Sequence, residues 1–305
     1  MQAFRPGGKQ RSVVARRQIW GLIFVLPAVL FFAIFFLYPI VTGIYYSMTD
    51  FTLLRPPQWV GLENYLDLFT RDRLFKKSLA VTIGFVLGST IPVWILSLGA
   101  ALLFAQVFRG REFFKALFFT PLLPSIVVIS VVWRVLLNPS GVITAIIGPL
   151  VGQSQIPWLY DLTLSPLMSI MVHDWHIIPF YMLIWLAGLM AVPVELREAA
   201  IIDGANRLQV LWHVELPLLR PTAVFVAAIS TIRAFQGFSI QFVMSPNQGG
   251  PVDVNTTLGV VIWKYGFQFF RMGDAAAVSM ILFAIIIIFT ALQMTVGRSE
   301  DFSLK

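Results

Sequence analysis

Six stretches of this chain are each long and apolar enough to cross a lipid bilayer: residues 19–46, 78–108, 116–137, 166–192, 222–244 and 274–297. A spanning helix needs about 20 apolar residues, because a rise of about 1.5 Å per residue must cover roughly 30 Å of hydrocarbon. Within that layer every backbone N–H and C=O must be bonded inside the segment, which selects helix over open sheet. The expected fold is therefore all-α: a polytopic membrane bundle of six transmembrane helices. Pro27, Pro39, Pro92, Pro121, Pro124 and Pro179 fall inside these runs. In a membrane bundle such kinks are tolerated and shape cavities.

Composition narrows the function classes. Only 12% of the residues are charged, about half the share usual in a soluble chain, so most of the surface is read as facing lipid. The chain has no cysteine, which excludes a disulfide framework, a thiolate metal site and a cysteine nucleophile. A net charge of +7 raises the question of nucleic acid. The basic residues sit mainly in short connections between apolar runs, however, which is the pattern of membrane topology. The basic N-terminus leads into an apolar run far longer than the ~7–15 residues of a signal core, with no small-residue cleavage site. It reads as a retained first span behind a polar tail, residues 1–18.

Orientation follows from Lys and Arg. With the N-terminus in the cytoplasm, 13 of them fall on that side and 7 on the other, a bias that puts both termini inside. The 47–77 connection carries Trp59, Tyr65 and Phe69 among charges and is expected at headgroup level. The 245–273 connection opens on the loop chemistry of Pro246 to Pro251 and continues through an aromatic interfacial stretch, Ile262 to Phe267.

Between the fourth and fifth runs lies a polar segment with its own design. Pro193 suits a first helical position, and Glu195 and Glu198 favour the positive end of a helix dipole. Leu196, Ala199 and Ala200 share one face, and Gly204 supplies the freedom to leave the helix. Asn206 and Gln209 have capping-box spacing for a second short helix. Pro217 and Pro221 mark the passage into the fifth span. Periodicity alone fits an ordinary interfacial loop as well as a docking surface for a soluble partner.

The residues of this segment, Glu198-Ala199-Ala200, Asp203-Gly204-Ala205 and Leu216-Pro217, resemble the coupling loop of carbohydrate-type ABC-importer permeases. Val60-Gly61-Leu62-Glu63-Asn64-Tyr65, Pro179-Phe180 and Gly249-Gly250-Pro251 extend the resemblance over nearly the whole chain. Val214 departs from it, where the family usually has Ile. The resemblance implies a type I permease fold in a bacterial plasma membrane, with a core domain over 78–294. Residues 19–77 then form an added first helix and external loop, and residues 295–305 a cytoplasmic tail. It implies that Glu198, Ala199, Ala200, Asp203, Gly204, Leu216 and Pro217 couple to an ATPase, with Glu198 and Asp203 as the polar contacts. It also implies a homologous second permease, two ATP-binding cassette subunits and an extracytoplasmic solute-binding protein. The cargo is then a sugar, oligosaccharide or polyol moved by alternating access.

The chain carries no cofactor site of its own on this reading. Gly7-Gly8-Lys9 lacks the spacing and the hydroxyl residue of a phosphate-binding loop, so ATP and Mg fall to a partner. His173 and His176 have the spacing of a helical metal pair but no carboxylate set, and read as satisfied bundle groups rather than a metal site. Three histidines and no nucleophile-elbow serine argue against an enzyme. A channel would need neither ATP nor partner. Arg233, inside the fifth run, is the costliest residue, at about 3 kcal/mol by insertion scales. A salt bridge to Asp174 is its first explanation and contact with substrate the second. In the second case Phe235 and Phe238, otherwise packing residues, stack on a sugar face, while Gln236 and Gln241 bond its hydroxyls. An anionic sugar or polyol then becomes the alternative cargo.

Overall fold

The computed structural model describes residues 9–53, 55–106 and 109–298, and within them the chain is helical, with only isolated β-bridges such as Thr49 with Trp59. The first helix, α1 (Lys9–Phe32), passes through a π turn at Ala33–Leu37 into α2 (Tyr38–Ser47). After α3 (Glu63–Thr70) comes the second span, α4 (Arg73–Ala105). The third run is split into α5 (Arg111–Phe119) and α6 (Ile126–Leu136), followed by α7 (Val142–Val151). The fourth span is α8 (Leu164–Ala191). The polar segment forms α9 (Val194–Ile202), α10 (Arg207–Val210), a π turn at Leu211–Glu215 and α11 (Leu216–Leu218). The fifth span is α12 (Arg220–Phe235) with α13 (Ser239–Val243), and α14 (Leu258–Trp263) precedes the last span, α15 (Met272–Arg298).

Two expectations are corrected. The polar tail is helical from Lys9 onward; residues 1–8, and the C-terminal tail from 299, lie outside the described residues. The third span is not one helix: its two halves meet at 92°, because Pro121 and Pro124 remove N–H donors and Ser125 turns extended (ψ 149°) to cap α6. The fifth run holds as one span, Arg220–Val243, although its helix is interrupted at Gln236 to Phe238 before α13. Part of the 245–273 connection packs inward. Leu258, Val261 and Tyr265 are fully buried against α4 and α15.

Helices in lipid gain nothing from being hidden from water, so packing and interhelical hydrogen bonds hold the bundle. The main seam runs between α4 and α8. The buried stripe of α4 alternates small hydroxyls with aromatics: Ser78, Thr82, Phe85, Ser89, Val93, Ser97, Ala101 and Phe104. Trp185 Nε1 donates to Ser97 Oγ (3.1 Å), and Trp94 Nε1 donates to Ser230 Oγ (2.7 Å), tying α4 to α8 and α12. Such bonds contribute about 0.6 kcal/mol each on average. Gly188 sets how α8 meets the start of α12: a Cβ there would lie 2.6 Å from Thr222 Oγ1 and 2.9 Å from Leu219. The two spans flanking the polar segment are therefore in close contact at its base.

At the opposite end, Asn64 Nδ2 donates to the carbonyls of Ser47 (2.9 Å) and Thr49 (3.0 Å), and Tyr65 Oη donates to Ser47 Oγ (2.7 Å). The Val60–Tyr65 motif thus clamps the end of α2. Lys264 Nζ bonds Asp253 Oδ1 at 2.8 Å. Burial alone would raise the Asp253 carboxyl, but bonds from Lys264 and Thr256 outweigh it and hold that group below its ordinary value.

Candidate functional site

The polar segment is built by local rules. Pro193 caps α9 in an extended conformation (ψ 130°), one position before its expected place inside the helix. Glu195 lies in the first turn. At the other end Gly204 N–H bonds the Ile201 carbonyl (3.0 Å) and Ala205 N–H bonds the Ala200 carbonyl (2.9 Å). That pair of bonds is a Schellman stop, which requires a left-handed residue, and Gly204 has φ +89°. The next residues complete the capping box: Gln209 N–H donates to Asn206 Oδ1 (2.9 Å), and Asn206 N–H donates to Gln209 Oε1 (2.8 Å). Leu216 is half-buried and Pro217 exposed, leading to Leu219, which is fully buried beneath Gly188.

This segment leaves an unusual surface. Glu198, Ala199, Asp203 and Gly204 are exposed and Ala200 half-exposed. Beside them Ile202 is 84% exposed, with Ile201, Leu208 and Trp212 also outward. Nothing lies within 4 Å of a Cβ built on Gly204, and a notch of about 280 Å³ opens between Ala200, Asp203, Gly204, Gln209 and His213. Apolar side chains thus surround a polar pair on capped helices, an exposed apolar patch with a charged centre.

The second set of residues lies deeper. The Arg233 guanidinium sits 4.7 Å from the centroid of the Phe180 ring, close enough to His176 and Tyr181 to act on both electrostatically. It does not pair with Asp174. That carboxylate accepts from Ser89 Oγ (2.5 Å) and lies 3.1 Å from His173 Nδ1. Six residues separate Asp174 from Phe180 on α8, or about 9 Å and two-thirds of a turn in direction, so an arginine level with Phe180 faces away from Asp174. A cation–π contact contributes about 2 kcal/mol or more when desolvated, against a cost of about 3 for the charge. Arg233 is exposed on its other side, where water or a ligand can reach it.

The other expected path residues divide. Gln236 is exposed and follows Arg233 on the same uncovered face as Phe225. Phe235 points the other way, 1% exposed in the core with its ring 5.2 Å from Phe289. Phe238 is half-buried and stacks on Phe242 at 4.9 Å. Gln241 is buried, with an amide nitrogen that has no partner. Sequence marks Phe180 only within the Pro179-Phe180 resemblance and His176 only as a satisfied bundle group, because a contact between helices leaves no periodic trace. His176 Nδ1 lies 2.8 Å from the Pro121 carbonyl, and among the described residues no group of three metal-ligating side chains occurs.

The described residues thus form an all-helical multi-span bundle with a capped, exposed polar segment between two of its spans. Residues 85–299 match the family model described as "Binding-protein-dependent transport system inner membrane component". The probable ABC transporter permease protein YesP of Bacillus subtilis is 31% identical over 91% of this chain and 90% of its own length. The trehalose/maltose transport system permease protein MalF of Thermococcus litoralis is 30% identical over 91% of this chain and 93% of its own. A bacterial ABC transporter involved in the import of the acidic polysaccharide alginate shares the fold, with a TM-score of 0.83 at 20% identity, covering 96% of this chain and all of that one. The chain belongs to this family and is the multi-pass inner-membrane permease of an ABC importer, not an enzyme; ATP hydrolysis lies in a separate subunit.

Proposed function

We propose that this permease imports a sugar, oligosaccharide or polyol, and that its α9–α10 segment receives the motion of the ATPase. The observation that carries the reading is the exposed Glu198–Gly204 surface, held by a Schellman stop and a capping box at the joined base of α8 and α12. A short helix fixed at both ends passes on a rigid-body displacement without unfolding. Two ATPase subunits, a homologous second permease and an external binding protein complete the machine. ATP and Mg are handled by the ATPase subunits alone. The trehalose/maltose relative supports a neutral carbohydrate. One observation favours the second reading, an acidic sugar: Arg233 faces an uncovered side, with no carboxylate among the described residues at ion-pair distance.

In vesicles holding the complete transporter, uptake of radiolabelled maltose is expected to require both ATP and the binding protein. Uptake of a uronic-acid disaccharide in its place would establish the acidic reading, and uptake without ATP would overturn both. Topology is tested separately. The chain lacks cysteine, so single cysteines replacing Arg16 and Gln209 should react only with reagents admitted to the cytoplasm. One replacing Asn247 should react from outside. Labelling at position 209 in intact cells reverses the orientation.

A further inference from the structure

Arg197 lies on α9 beside Glu198 but points away from the docking surface, into the base of the bundle. Its Nη2 donates to the Leu189 carbonyl at 2.8 Å, in the last turn of α8. That carbonyl otherwise has only a long 3.4 Å bond from Val192 N–H. A cation at a helix C-terminus also meets the negative end of its dipole. On its other side, Arg197 Nε lies 2.7 Å from Glu215 Oε1, an ion pair whose N–H axis is not aligned on the oxygen. Glu215 ends the π turn and directly precedes Leu216-Pro217, the entry to α12. The pair is largely covered, at 28% and 15% exposure, so solvent screens it less than a surface bridge. One planar guanidinium therefore joins the exit of α8, the coupling helix and the entry to α12.

We infer that Arg197, held by Glu215, is the positioning residue that makes α8 and α12 move together with α9. The inference rests on the coupling reading above and adds to it the internal element that carries the motion. Without this brace the capped helix can shift against the spans. Lysine cannot replace it fully, because a point-like ammonium lacks the fork that reaches a carboxylate and a carbonyl at once.

The test uses the complete transporter with one cysteine in place of Gln236, on the uncovered side beside Arg233, as a reporter that needs no substrate. In the otherwise unaltered protein, ATP is expected to change its labelling rate about fivefold or more, within the usual range of site-to-site coupling. Glu215→Gln should assemble, since Arg197 keeps its carbonyl bond, and should lose most of that change while ATP is still consumed. Arg197→Lys should give an intermediate change. The exchange Arg197→Glu with Glu215→Arg should recover part of it by restoring the ion pair. A full change in Glu215→Gln would overturn the brace alone. So would an exchange that restores assembly without restoring the ATP-dependent change. An unaltered complex with no ATP-dependent change would overturn the coupling reading and the brace with it. If Glu215→Gln does not assemble, the exchange variant decides by the same criterion.

Discussion

Gly204→Val is expected to leave membrane insertion and subunit level intact while cutting substrate uptake per ATP by about tenfold, a typical allosteric coupling energy. The space around Gly204 is open, so the effect is not a clash inside this chain. It arises from the backbone: φ is +89°, and an L-residue held left-handed costs roughly 1–2 kcal/mol, more with a β-branch. The α9 helix then loses the two bonds that stop it, and the exposed pair Glu198 and Asp203 is no longer held on a fixed frame. Gly204→Ala should show a smaller defect of the same kind. Uptake and ATP hydrolysis measured in the same vesicles decide the matter, and normal coupling in the valine variant sinks the assignment.

The second large effect concerns Arg233. Arg233→Gln is expected to reduce uptake of an acidic sugar by about tenfold or more, because hydrogen bonds to charged groups contribute about 1.5–3 kcal/mol. Uptake of a neutral sugar should fall far less, and protein level should hold, since the guanidinium rests on a ring rather than in a carboxylate pair. Asp174→Asn should instead lower protein level by weakening the buried contacts with Ser89 and His173. Combining the two changes should bring no recovery, as their partners differ. Restoration of protein level in the double variant would show that the two charges do depend on each other.

The local fold of the polar segment was legible because its determinants are local. Asn206 and Gln209 are three residues apart, Gly204 follows an amphipathic turn, and each needs only its own neighbours to act. Hydropathy likewise located the long spans, since length and apolarity are properties of one segment. It could not report that the third run bends by 92°, because a run of apolar residues has the same composition on either side of a bend. Pro121 and Pro124 announced a kink without its size. The partner of Arg233 was illegible for a different reason. Whether it meets Asp174 or Phe180 depends on the rotation of α8 against α12, and that is set by close approaches such as Gly188 on Thr222 rather than by any pattern within one helix.

The broken third span also decides how a distant ring presents its nitrogens. Had α5 run on into α6, Ser125 N–H would have taken the Pro121 carbonyl; with Ser125 extended, that oxygen is left for His176 Nδ1. A carbonyl can only accept, so the proton resides on Nδ1. The neutral imidazole therefore has its lone pair on Nε2 and can receive a hydrogen bond there from a hydroxyl. A proline on one helix thus chooses the tautomer on another, and with it whether the ring offers a donor or an acceptor to whatever passes.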